Sequence, residues 1–594
     1  MDQATYNRQV DARAKEVLEA MAARGANGTW AAHAVFATGA DRSGIHEAVV
    51  QSLGDFTLGL TGAGPFQILP AMLLLCRWER ELQPETVELI RQFFTEGILE
   101  RGNTENHWMM FYTGTLLAAE RFADEPAFWN GQSPTAVKAE ATRWILGTIE
   151  RTARIGHHEY DSPGYHAEHF TPLVGLFEHA QDRELRQQVE KVLTLLVADM
   201  ALEYYKGSWA GGHSREGYRQ NTWTHVGPIQ TVQYMYFGGE PFDAARHLQG
   251  FSIPVAAAAY RPPALFERLA LDRSTPHVVK KTKAPRTIFR HVDRETTPVR
   301  KYTYMSTSFA LGSSQLGLTA PAGPIDLVSW DLTWSGDKHQ AKIGCNHPYA
   351  DGGRFSAFLN PLPQDARRAI GGDKPYLQRP DRLFGASPFE QMMQHEGTAI
   401  LLYRIPEGDD HPFVNVYLPT SVNWVAQGGW LFGDLGTFYV ALRPLGDYAW
   451  ERIRESANDN IMVSEGGLID NWLLRIDDLN AGLVLEAVEA KDANAFADFC
   501  DRRSELDLDL SDWPTNNRVG VQTIGGARLE MVYDGAHTVD GQAIDYTAWP
   551  LYGAPGAHGE VNTGKVVFRA GQEEVSVDFG IDPKKPLMPM RVIG

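Results

Sequence analysis

The period of the hydrophobic residues changes once along this chain of 594 residues, and that change constrains the fold more than any other feature. From residue 5 to about 260 the apolar residues recur at helical spacing. Leu185, Val189, Val192, Leu193, Leu196 and Met200 mark one face of a helix, with Glu190, Lys191 and Asp199 elsewhere around the wheel. Similar patterns predict helices over about 9–23, 66–82, 84–100, 107–122, 136–152 and 242–256. Consecutive helices with no strand between them must bury their stripes against one another, which leads to helical hairpins packed as a bundle or ring.

Residues 261–290 break the helical period with Pro262, Pro263, Pro276 and Pro285 among Lys280, Lys281, Lys283 and Arg286, and read as a linker. Beyond them the period is two. Tyr302, Tyr304 and Phe309 enter a strand region, followed by 398–404, 413–418, 437–443, 483–488 and 529–533, while 566–568 and 575–579 flank Ala570-Gly571-Gln572 as a terminal hairpin. The expected organisation is a helical domain over 1–260, a linker over 261–290 and an antiparallel β-sandwich over 291–594.

Lys and Arg total 55 against 74 Asp and Glu, a net charge of −19 that argues against a nucleic-acid backbone or an anionic membrane as partner. An acidic substrate would need a local basic pocket. Apolar runs such as 71–76 and 192–197 fall far short of the roughly 20 residues that cross a bilayer. Cys76, Cys345 and Cys500 are too few and too scattered for a disulfide framework or a thiolate zinc site. Asp2, Arg8, Asp11, Arg13, Lys15 and Glu16 leave no apolar export segment near the N-terminus, so the expected location is the cytoplasm, or the periplasm or exterior if the native N-terminus was engineered. Homo-oligomerisation stays open.

Three clusters carry chemistry-bearing residues. In the first, Arg101-Gly-Asn-Thr-Glu-Asn-His-Trp, Asn103 or Asn106 is placed to cap a helix opened by His107, with Trp108 beside it; such a helix end favours an anion such as a carboxylate. In the second, residues 156–169 pack His157, His158, Glu159, Asp161, Tyr165, His166 and His169 between predicted helices, and Asp161-Ser-Pro-Gly supplies turn chemistry to present Tyr165 and His166. In the third, residues 207–223, glycines allow close backbone approach, His213, Arg215, Tyr218 and Arg219 offer donors, and Trp209 and Trp223 offer flat apolar faces suited to an acidic sugar. Each has a structural alternative: an Asn cap, polar groups satisfying buried helix ends, or a glycine-rich turn with solvated arginines. A metal held by His157, Asp161, His166 and His169 is a weaker reading, since their spacing matches no zinc signature.

Taken together, a helical half with an Asn-His helix opening, a Tyr/His loop and a Gly-His-x-Arg loop, followed by a long β half, resembles the polysaccharide lyases of the chondroitin/hyaluronan lyase, heparinase II/III and alginate lyase type. Residues 302–313 and 395–403 are similar to strands of those lyases. The resemblance implies an incomplete α/α toroid followed by an antiparallel β-sandwich, and β-elimination at a uronic acid that leaves a C4–C5 unsaturated uronate. It implies that Asn106 and His107 neutralise the substrate carboxylate, that Tyr165 is the general acid, and also the base where both events occur on one face, and that His166 is the competing base. Arg215 would bind a carboxylate, while Trp108, His158, Glu159, Trp209, His213, Tyr218, Arg219 and Trp223 would hold neighbouring sugars. No cofactor is implied, and the partner is an acidic poly- or oligosaccharide.

Two rival functions follow from the same residues. A toroidal glycoside hydrolase would pair Glu105 with Asp161 or Glu159, whose separation would set the stereochemistry. A non-catalytic glycan-binding protein would show stacking Trp residues without a convergent acid–base set.

Overall fold

Local signals in the sequence set where many of the helices begin. In the computed structural model Asp2 accepts from the Thr5 N–H, Ser133 from Ala136 and Asp182 from Glu184 and Leu185, while Pro65, Pro84 and Pro134 occupy first helical positions. The structure describes residues 2–588 except 26, 55–61, 103, 216–227, 285–297, 316–326, 337–339, 350–362, 364, 367–368, 370–385 and 456–468. Its helical region comprises α1 (Gln3–Ala22), α2 (Thr29–Thr38), α3 (Ile45–Leu53), α4 (Pro65–Trp78), α5 (Pro84–Glu96), α6 (Glu105–Arg121), α7 (Pro134–Ile155), α8 (Tyr165–His179) and α9 (Arg183–Leu202). Shorter helices follow at Pro228–Phe237, Ala244–His247, Ser252–Ala257 and Leu265–Leu271.

These helices pack in a closed circuit: α1 on α2, α2 on α4, α4 on α8, α8 on Pro228–Phe237, and that helix back on α1. Helix α6 lies against α4, α7 and α8. The helices α6 and α8 are buried around nearly their whole circumference, from Trp108 to Glu120 and from Tyr165 to Leu176. Helix α8, buried on all sides, shows no polar stripe and carries Pro172 in its interior, so it does not read as a helix from the sequence. Tyr165, His166 and His169 therefore stand on its first turns and not on a loop. The expected helix over 242–256 is instead two short helices with Gly250 between them.

The C-terminal region is antiparallel throughout its described strand pairs, apart from one isolated parallel bridge in the helical part. A twelve-stranded, a six-stranded and a five-stranded sheet stack in layers. Leu311, Trp330, Ile343 and Val416 of the large sheet meet Leu401, Val440, Leu442 and Leu485 of the six-stranded sheet. The other face of that middle sheet, through Ile400, Phe432 and Val484, packs on Val519, Val521 and Leu529 of the third. The expected single sandwich is thus one layer deeper. Burial on both faces explains the unbroken apolar run from Ala399 to Tyr403. The terminal hairpin forms as predicted, with Ala570 opposite Glu573 across Gly571-Gln572.

The outer face of the large sheet closes on the helices. Val279, Met305, Tyr552 and Phe568 share one apolar core with α9 and Leu265–Leu271. Residues 261–290, read as a linker, contain that helix and the strand His277–Lys283, which is hydrogen-bonded within the sheet. Prolines set the edges of these elements without preventing them. Gly156, at the end of α7 with φ of 85°, shows how closely the two regions meet: a Cβ there would stand 2.1 Å from the Thr282 carbonyl oxygen. Among the described residues no helix is long and apolar enough to cross a membrane.

Candidate active site

Three separate segments deliver the site, each pinned by its own backbone. Helix α6 begins at Glu105 after Thr104, so Asn106 is its second residue and not its cap; Asn103 lies outside the described residues. Between α7 and α8 the chain turns through Asp161 in the left-handed region, φ 54°, and Ser162 then caps α8 by accepting from Tyr165 N–H at its Oγ (3.0 Å) and from His166 N–H at its carbonyl (3.1 Å). After α9, a two-stranded hairpin of Tyr204–Tyr205 and Ser208–Trp209 leads to Gly211, whose N–H donates to Asp331 Oδ1 at 2.7 Å. His213 exchanges backbone hydrogen bonds with Val328 of the β region, and Ser214 N–H donates to the Tyr160 carbonyl. Arg215 follows with φ of 61°. Two non-glycine residues in this region, within one site, are the kind of backbone cost that only surrounding structure sustains.

These supports bring the clusters together on Glu159, which is fully buried. Its carboxylate accepts from Asn106 Nδ2 at 2.9 Å on both oxygens, from Arg215 at 2.8 Å on Oε1, and bonds His169 Nε2 at 2.8 Å through Oε2. A buried carboxylate needs such partners, and here each comes from a different one of the three segments or from α8. The Arg215 guanidinium also lies 3.5 Å above the Tyr165 ring. Exposure then orders the cluster: Tyr165 and Arg215 are 6% and 8% exposed while Glu159, His166 and His169 are at 0%, so the tyrosine and arginine form its outer edge. His107, on the turn of α6 that carries Asn106, is half-buried with its ring edge-on to the exposed Phe66.

Behind this edge the imidazoles of His157, His158, His166 and His169 cluster, with ring centroids 4.5–5.6 Å apart for His157 and its three neighbours. Burial pushes His166 down to about 3, helped by Lys283 and opposed by Asp161, and pushes His157 well below the ordinary range. Burial likewise lowers His33 to about 3 and His213 to about 4. Each such group binds its proton more weakly folded than unfolded, so its stability is present above pH ~6.5 and is lost as pH falls toward the folded value. Glu390, which burial raises to about 7, and Glu486, also raised by burial, work in the opposite direction, but they are two groups against the four histidines above, which His179, His277 and His537 join. Urea denaturation from pH 6.5 to 4.5 is therefore expected to show falling stability, about 2 kcal/mol for a single histidine such as His166, and His166→Asn should flatten the slope. Stability that is level or rises on acidification would contradict this.

Beneath the histidines lies a set of buried charges, all but Asp161 outside the three clusters. Asp161 is bound by Lys281 (2.9 Å), Lys283 (3.2 Å) and Lys301, Asp199 by Lys283 (2.6 Å) and Lys281 (3.6 Å), and Glu203 by Lys281 (2.6 Å) and Lys301 (2.8 Å). All six side chains are at most 1% exposed. Burial alone would raise the Asp161 carboxyl, but the three lysines hold it well below the usual carboxylate range. One signal was available: Lys281 and Lys283 stand two apart, on one face of a strand.

Several expected roles need correction. Trp108 is core, its Nε1–H donating to the Gly102 carbonyl and its ring against Trp144 and Tyr112. Trp209 is buried, donating to Glu203 and standing edge-on to the His166 ring at 4.8 Å. His213 is buried with Nδ1 at 3.1 Å from the Gly211 carbonyl, and His158 is buried in the imidazole cluster. Glu159 is a buried hub, so none of these five presents a face to a sugar in this structure. Tyr218, Arg219 and Trp223 lie outside the described residues. The metal set considered above is not assembled: Asp161 is taken up by lysines, and among the described residues no group of three or more His, Cys, Asp or Glu has metal-holding geometry.

No protein-family model and no curated protein matches this sequence. Among solved structures the chain is similar to a mutant chondroitin AC lyase of Streptomyces coelicolor, at 14% identity over 96% of this chain and 88% of that one, TM-score 0.42. It is also similar to the heparan sulfate lyase of Pedobacter heparinus, at 10% identity over 87% and 81%, TM-score 0.35. A heparinase III gene product shows 7% identity over 92% and 83%, TM-score 0.34.

Proposed function

We propose that this protein is a lyase that cleaves a uronic-acid-containing poly- or oligosaccharide by β-elimination. The observation that carries this reading is the convergence of Asn106, His169 and Arg215 on Glu159, with the Arg215 guanidinium against Tyr165 at the outer edge of the cluster. Tyr165 removes the proton from C5 of the uronate, electrons move to form the C4–C5 double bond, and the C4–O bond breaks with a proton returned to the leaving oxygen. No water is consumed. Tyr165 accepts this proton as the phenolate, whose negative charge the Arg215 guanidinium stabilises best in a buried, water-poor setting, and the phenol so formed is the acid that returns the proton. Arg215 thus acts on the tyrosine and not as the carboxylate clamp suggested by sequence alone.

His107, half-buried at the start of α6, is assigned to neutralise the substrate carboxylate, aided by the positive end of the helix, while Asn106, fully buried with its Nδ2 on both Glu159 oxygens, holds the hub behind it. His166 is a poor base with its proton affinity pushed down to about 3, which favours Tyr165 for the proton transfer. The hydrolase reading needs a carboxyl with raised proton affinity, and Asp161 is held in the opposite direction by three lysines. A panel of uronate glycans, incubated with and without chelator, tests the proposal: ultraviolet absorbance of an unsaturated uronate with matching product masses is expected, and fragments heavier by one water without absorbance would overturn it.

A further inference from the structure

We infer that Lys281, Lys283 and Lys301 of the large sheet are positioning residues for Tyr165, setting the catalytic turn from outside the helical region. For its activity arm this rests on the lyase reading above. Lys281 and Lys283 are two apart on one strand, and Lys301 is directly opposite Lys281 on the neighbouring strand Val299–Met305, so three ammonium groups share one sheet face. Side by side they repel; the arrangement holds only because Asp161, Asp199 and Glu203 meet them from the helical side. Three positive and three negative charges balance, and Thr303 and Tyr552 of the same sheet add hydrogen bonds to Glu203 (2.7 Å) and Asp199 (3.0 Å).

The link to Tyr165 is short and covalent. Asp161 bonds all three lysines; Ser162, the next residue, caps the first turn of α8 through both its hydroxyl and its carbonyl; and Tyr165 opens that turn. Asp161 itself sits at φ 54°, and its ionic bonds fix it in this left-handed backbone conformation. A second branch runs from Lys301 through Glu203 to Trp209, whose ring abuts His166, the residue after Tyr165. Apolar packing could fill the same space at comparable stability, but it would not fix Asp161 in one place.

The test separates placement from charge balance with the double variant Asp161→Asn, Lys301→Met, which removes one charge of each sign from the full chain. Hydrogen–deuterium exchange over residues 157–169 is expected to quicken at least about tenfold while α1–α3 stay at the wild-type rate, because the anchor of the turn is gone. On a cleaved glycan, kcat should fall about 100-fold with KM within about threefold, as expected for misplacement of a reacting group. Wild-type exchange over 157–169 would overturn the inference, as would wild-type kcat. If the double variant does not fold, Lys301→Gln is read in the same way. The exchange arm decides the inference even if no glycan is cleaved, so its failure and that of the lyase reading remain distinguishable.

Discussion

Replacing Tyr165 with Phe is expected to lower turnover of a uronate glycan by about 10²–10⁴-fold in a protein that still folds. The substitution removes one oxygen. The ring keeps its place in the first turn of α8 and the Arg215 guanidinium keeps its contact 3.5 Å above it, so the packing terms survive while the proton carrier is lost. Far-ultraviolet circular dichroism and a thermal melt serve as the folding control, and initial rates of absorbance on the best glycan as the measurement. Unchanged turnover in the folded variant would remove Tyr165 from the mechanism.

Glu159→Ala is expected to be the most damaging single change to stability, at about 3–5 kcal/mol in urea denaturation. The loss leaves Arg215, Asn106 and His169 without the carboxylate that each now bonds, in a fully buried place. Glu159→Gln keeps the volume and one acceptor, so it should cost less than the alanine variant while still weakening the ion pair with Arg215. A cost below about 1 kcal/mol for Glu159→Ala would show that the hub does not hold the three segments together.

The order of helices and strands was legible because surface-facing elements carry a 3.6 or a 2.0 period, as α9 and the terminal hairpin do. It failed at α8 and over residues 261–290. Helix α8 shows no stripe, and residues 261–290 carry prolines that only bound the helix Leu265–Leu271 and the strand His277–Lys283. For the site, the three clusters were legible from their density of His, Tyr, Asn and Arg, and the structure brings one member of each to Glu159. Their partners were not. Which lysines pair with Asp161 is set by contacts between residues more than 100 apart, such as Lys281 with Asp161, and no local pattern records these.

The lyase account stands or falls on whether water enters the product. Cleavage of the best glycan in oxygen-18 water, followed by product mass, measures this directly. The account predicts no heavy oxygen at the new ends and a total product mass equal to that of the substrate, together with rising ultraviolet absorbance. One heavy oxygen per bond cleaved, with no absorbance, would make the reaction a hydrolysis and contradict the role assigned to Tyr165.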